Sequence, residues 1–219
     1  MAILCADHDL LFIMAPHTGC TAVGETLKLH LGGVFLPATD VKDEDGEMLV
    51  PHKHSQLREL MEHGIVTPAQ RRTMVVASTI RNPFDSLVSH YVKVNERYSR
   101  DPERRPASTK ASRDFESWLR YRFRPSFKAR LRGRDPEQPV RWTLGSEVVM
   151  RYERLQQDFD ALMARVGITE PIRIKRSNVT RSRQGRSYQE FYTPGARTLV
   201  EELFADDLLE FGYRFEPEA

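Results

Sequence analysis

Two segments of the chain combine residue types that hold anions, each at a point where an apolar run gives way to helical spacing. Pro16-His17-Thr18-Gly19-Cys20-Thr21-Ala22 follows the apolar run Leu10-Leu11-Phe12-Ile13-Met14 and precedes Val23, Leu27 and Leu31 at four-residue steps. That pattern predicts a buried strand, a loop and a helix packed on a sheet. N–H groups at a helix start have no helical partner and point at whatever anion stands before them. Gly19 permits close approach, and the hydroxyls of Thr18 and Thr21 can donate as well. The loop is not a Walker A sequence, because no Gly-Lys-Ser/Thr follows Gly19. Taken alone it also reads as an ordinary strand-to-helix turn.

The second segment is Arg81-Asn82-Pro83-Phe84-Asp85-Ser86-Leu87-Val88-Ser89-His90-Tyr91. The run Met74-Val75-Val76-Ala77, continuing through Ile80, predicts a strand that puts Arg81 at its carboxyl end. Asn82 suits a cap and Pro83 a first helical turn, so Ser89 falls two turns into the following helix. A guanidinium and a hydroxyl on one phosphate make fork-shaped, charge-assisted hydrogen bonds. The plainer alternative is an Arg81 that pairs with Asp85. His52 and His54, in Pro51-His52-Lys53-His54-Ser55, are candidates for a general base ahead of a helix with Leu57, Leu60 and Met61, and each also reads as a surface histidine. His90, next to Ser89 and so on another face, is expected to be structural.

The elements that must position these residues follow a strand-helix alternation. Val148-Val149-Met150 predicts a third strand, followed by a helix with Leu155, Phe159, Leu162, Met163 and Val166 that stops at Gly167. Thr193-Pro194 opens a last helix through Leu199, Val200, Leu203 and Phe204. The reading is α/β: three layers, a mostly parallel sheet with helices on both faces, and ligands at the carboxyl ends of the strands.

At 219 residues and 40% hydrophobic content, one domain over residues 1–219 is expected. A basic insertion or lid is expected around residues 95–140, where one helix with Phe115, Trp118 and Leu119 interrupts an Arg-, Pro- and Ser-rich stretch. The net charge of +2 hides segregation: Lys93 to Arg134 carries 14 Lys/Arg against 5 Asp/Glu, which favours a polyanionic ligand. Cys5 and Cys20 are too few for a disulfide framework and are expected to be free. The N-terminal stretch has neither a basic leader nor an apolar span, so a cytoplasmic protein without a membrane span is expected.

The two anion segments resemble the 5′-phosphosulfate loop and the 3′-phosphate site of the sulfotransferases that use 3′-phosphoadenosine 5′-phosphosulfate (PAPS). That family's first loop typically reads Pro-Lys-Thr/Ser-Gly-Thr-Thr. Its second motif, Arg-x-Pro followed by Ser-x-Tyr, is met by Arg81, Pro83, Ser89 and Tyr91. Arg151-Tyr152-Glu153-Arg154-Leu155 resembles the segment whose Tyr borders the adenine, and the run Asn178 to Tyr192 with Phe211-Gly212-Tyr213 resembles the C-terminal portion.

The resemblance implies a P-loop-like phosphosulfate loop with PAPS as co-substrate and no metal. It assigns nucleotide contacts to His17, Thr18, Gly19, Cys20, Thr21, Ala22, Arg81, Ser89 and Tyr152, and to Arg183 and Gly185 of a late basic loop. Arg181 and Tyr188 are weaker candidates there. His17 stands where the family has Lys, which neutralises the oxygen bridging phosphate and sulfate; protonated imidazole can do the same. Cys20 replaces a hydroxyl residue. The family's Lys-His pair selects His54 as base, and Lys53 is a second source of positive charge.

Sulfuryl transfer to a hydroxyl or amine of a small-molecule or carbohydrate acceptor is therefore the expected activity, with a homodimer as the expected assembly and no nucleic-acid partner. The alternatives are a PAP- or PAPS-binding regulator without turnover, a P-loop-type small-molecule kinase, and a nucleic-acid binder.

Overall fold

Leu10–Ile13 is buried along its whole length, as a strand covered on both faces must be. In the computed structural model, which describes residues 2–100, 114–123, 139–175, 183 and 185–216, it lies at the centre of a five-stranded sheet. In chain order the elements are β1 (Ala2–Cys5), β2 (Leu10–Ile13), α1 (Cys20–Leu31), β3 (Val34–Leu36), β4 (Val41–Lys42), β5 (Met48–Val50), α2 (Leu57–Glu62), α3 (Pro68–Thr73), β6 (Val75–Ile80), α4 (Pro83–Arg100), α5 (Phe115–Arg122), β7 (Val148–Arg151), α6 (Leu155–Arg165), α7 (Pro194–Leu203) and α8 (Ala205–Phe211). The chain divides into two compact units, residues 1–81 with 142–179 and residues 82–141 with 180–219.

The first unit holds the sheet, in the order β3-β1-β2-β6-β7. β2, β6 and β7 are parallel, in registers running from Leu10↔Val75 to Ile13↔Ser78 and from Ala77↔Val148 to Ile80↔Arg151. The chain therefore leaves all three strands at the same sheet edge. β1 pairs antiparallel with both β2 and β3, so the sheet is mixed, with a parallel core and an antiparallel flank.

Side chains alternate between the two faces of β2. Leu10 and Phe12 meet Val23 and Leu27 of α1 and Phe159 and Leu162 of α6, whereas Leu11 and Ile13 meet Leu57 and Leu60 of α2. Helices thus cover both faces, as expected for a three-layer α/β protein.

The second unit is helical. Asn82 Oδ1 accepts the Phe84 N–H at 3.1 Å and Pro83 opens α4, the cap that the sequence predicts. Asp114 caps α5 by accepting the Ser117 N–H at 2.8 Å, and Thr193 caps α7 by accepting the Ala196 N–H at 3.1 Å. The last helical stretch is two helices: α7 ends at Leu203, α8 follows from Ala205, and Gly212 closes it. Phe84, Val88, Trp118, Leu119 and Val200 form this unit's core. Of the expected insertion, α5 lies in that core, and residues 101–113 and 124–138 lie outside the described residues.

Candidate active site

The loop after β2 is fixed by its own hydroxyl. Thr18 is buried, donates to the Ala15 carbonyl at 2.7 Å and stands 2.5 Å from the buried hydroxyl of Thr79 on β6. With its proton committed to Ala15, Thr18 accepts from Thr79 and ties the loop to the neighbouring strand. The loop's donors toward a ligand are then its N–H groups and Thr21.

His17, just before this anchor, is in the left-handed region at φ 64°. Gly19 follows at φ 81° and caps α1 without a side chain. A methyl group at Gly19 would lie 3.0 Å from Leu155 Cδ2 and from Tyr152 Cδ2, so the close approach and the positive φ together favour glycine. Past the cap, Ala22 N–H returns to the Gly19 carbonyl at 3.0 Å, and Cys20, which is in no disulfide, packs its buried thiol into the sheet core. Thr21 is half-buried on the first turn.

Arg81 leaves β6 beside this loop. Its Nη1 donates to the His17 carbonyl at 3.4 Å, and its guanidinium lies 4.2 Å over the ring of Tyr152, the first residue after β7. Asp85, the alternative partner read from the sequence, carries an ion pair to Arg183. The ends of β2, β6 and β7 thus contribute a glycine-capped helix start, a guanidinium and an exposed aromatic ring to one cluster. A positive charge, converging main-chain donors and a flat apolar surface are what a nucleotide with anionic groups requires.

The two histidines of the Pro51–Ser55 segment differ in their surroundings. His52 is clamped: its N–H donates to Asp40 at 2.6 Å, its Nδ1 is 2.8 Å from the Pro37 carbonyl, and its ring packs edge-on against Phe35. His54, in the left-handed region at φ 63°, stacks edge-on to Trp142 at 6.0 Å and hydrogen-bonds the Met14 carbonyl at the end of β2. Burial, the N-terminal ammonium and Lys53 lower its pKa below the usual histidine value against that one opposing bond. His54 is therefore a neutral imidazole next to the loop, with one ring nitrogen donating to Met14 and the other able to take a proton. Lys53 is exposed.

In the second unit, Ser89 is buried on α4. Arg183 forms the ion pair with Asp85 and donates from Nη2 to the Asp85 carbonyl at 2.7 Å. Gly185 is at φ 79° in open space. Tyr188 donates its hydroxyl to the Phe215 carbonyl. Arg181 lies outside the described residues. His90 packs edge-on against Trp118 at 5.2 Å, and burial with the charges of Arg122 and Lys93 pushes its pKa down to about 4.

Sequence reasoning missed Thr79 and Trp142 as members of these clusters, and named Asp85 as an alternative partner of Arg81 but not of Arg183. Thr79 was legible as a polar residue just ahead of the Arg81 motif. Trp142 stands in a stretch with no regular pattern, and no signal marks it.

An α/β sheet with a glycine-capped helix start, a guanidinium and an aromatic ring at the carboxyl ends of its parallel strands has the make-up of a group-transfer enzyme. The model of the sulfotransferase family matches residues 1–214, and the chain belongs to that family. Sulfuryl transfer is the general chemistry this membership brings. No curated protein and no solved structure matches the chain. Among the described residues no helix is long and apolar enough to cross a membrane, and no group of three or more His, Cys, Asp or Glu side chains could hold a metal ion.

Proposed function

We propose that the chain transfers a sulfuryl group from PAPS to a hydroxyl or amine of a small-molecule or carbohydrate acceptor. The observation that carries this reading is the meeting of the His17–Thr21 loop, Arg81 and Tyr152 at the ends of three neighbouring parallel strands. The loop's N–H groups suit the 5′-phosphosulfate, and Tyr152 offers a face on which adenine can stack. Protonated His17 takes the place of the family's Lys and balances the charge that grows on the bridging oxygen as the S–O bond breaks. His54 accepts the proton of the acceptor, the sulfuryl group moves in line to the acceptor oxygen or nitrogen, and 3′-phosphoadenosine 5′-phosphate (PAP) departs.

The test is labelled PAPS with a panel of acceptors, read beside ligand-induced thermal shifts. Transfer of label, and stabilisation by PAP of about 2.7 kcal/mol at one hundred times its dissociation constant, are the expected results. Stabilisation by ATP with Mg²⁺ in place of PAP would turn the assignment to a kinase. PAP binding with no transfer to any acceptor would favour a regulator.

A further inference from the structure

A guanidinium has two edges that each present a pair of parallel N–H groups, one through both Nη atoms and one through Nε and Nη2. In Arg183 the first edge is taken up by Asp85: Nη1 pairs with the carboxylate, and Nη2 donates to the main-chain carbonyl at 2.7 Å. The second edge contains an Nε–H that is shut off from water and has no hydrogen-bond partner among the described residues. Leaving a buried donor unmade is unfavourable. An oxyanion against the Nε–Nη2 edge would satisfy it.

Asp85 determines where that edge lies. Carboxylate and carbonyl of one residue grip the guanidinium at two points, which fixes its rotation as well as its position. Tyr192 braces the same main chain by donating its hydroxyl to the Phe84 carbonyl at 3.0 Å. Asp85 is in the first turn of α4, and Ser89 comes four residues later, the spacing that stacks two side chains on one helix face.

We propose that Asp85, one turn before Ser89 on α4, is a positioning residue that holds Arg183 with its unpartnered Nε–H edge set to receive the 3′-phosphate of the sulfuryl donor. This role rests on the PAPS reading. Its test is the preference for PAP over 5′-AMP, the nucleotide without the 3′-phosphate, measured as a ratio of dissociation constants. The sign is informative, because Coulomb's law alone has loss of the Asp85 carboxylate tighten the binding of a phosphate.

Positioning demands the opposite: Asp85→Ala lowers the preference by about tenfold or more, the scale of one charge-assisted hydrogen bond. Asp85→Asn, which keeps an acceptor for Nη1, holds the preference within about threefold of wild type. Arg183→Ala loses the preference, and adding Asp85→Ala to it removes nothing further. An unchanged or higher preference in Asp85→Ala overturns the proposal, as does a full preference in Arg183→Ala, which decides the matter if Asp85→Ala does not fold. A wild type that binds PAP no better than 5′-AMP sinks the PAPS reading and this role together. A wild type that prefers PAP, with variants that do the same, sinks the Asp85 role alone.

Discussion

The candidate acid and base histidines share a backbone property that their side chains do not reveal. His17 and His54 are both in the left-handed region, which among the described non-glycine residues is otherwise occupied only by Asp9. For an L-residue this conformation costs about 1–2 kcal/mol and persists only where the surroundings impose it. At His17 the imposing contacts are the Thr18 anchor and the Arg81 hydrogen bond; at His54 they are Met14 and Trp142. Two groups with these opposite tasks need different pKa values, because one works protonated and the other neutral. The pKa of His54 is lowered, so its neutral form persists below pH 6.5, and the acid limb of kcat/KM is expected below that pH. Turnover should also fall as pH rises through the pKa of donor-bound His17. His17→Lys should remove that alkaline limb, since lysine stays charged to about pH 10, and His17→Ala should lower kcat more than it weakens PAP. A pH-rate series on the three proteins reads both limbs. Full activity of His17→Ala across the range would pass the leaving-group role to another cation, such as Lys53.

At the level of elements, legibility followed local cause. The caps of α4, α5 and α7 use short-range bonds from Asn82, Asp114 and Thr193, and two of the three start at an Asn-Pro or Thr-Pro pair that punctuates the sequence. β2, β6 and β7 are apolar runs bounded by loops. β1 and β3 were not anticipated: each is only three or four residues long, and each owes its extended form to pairing across the sheet. The clamp on His52 escaped for the same reason, because its partners Asp40 and Pro37 come from a stretch without periodicity.

The loop-to-helix junction allows a clean perturbation. Gly19→Ala imposes an unfavourable φ and drives a methyl group to 3.0 Å from Leu155 and Tyr152, both side chains that can give by a few tenths of an ångström. The expected cost is about 1–2 kcal/mol of stability. Nucleotide affinity should fall further than that, because Tyr152 must shift and it carries Arg81 on its ring. Denaturant unfolding and PAP titration of the same variant separate the two effects. A variant that loses stability while binding PAP normally would show that the Tyr152 ring takes no part.

On the scale of the whole molecule, the net charge of +2 says little about how the fold responds to pH. The candidate segments 16–22 and 81–91 can be read because each is contiguous in sequence. Contacts that depend on long-range closure cannot, as with the Thr18–Thr79 and Arg183–Asp85 contacts. His90 belongs to the second kind. Adjacent to Ser89 in sequence, it is packed against Trp118 and close to Arg122 and Lys93, so burial and two like charges hold its pKa near 4. In the unfolded chain the same imidazole titrates near 6.5. Below pH 6.5 the unfolded state therefore binds a proton that the native state refuses. Stability should be intact above about pH 6.5, decline as pH falls toward 4, and lose up to about 3 kcal/mol over that window from this group alone. His90→Phe keeps an aromatic ring against Trp118 and removes the titration. Between pH 6.5 and 5 the wild type should lose about 2 kcal/mol more than this variant in urea unfolding followed by tryptophan fluorescence. Parallel pH dependence of the two proteins would mean that protonated His90 is accommodated in the native fold and that carboxylates elsewhere set the acid limit.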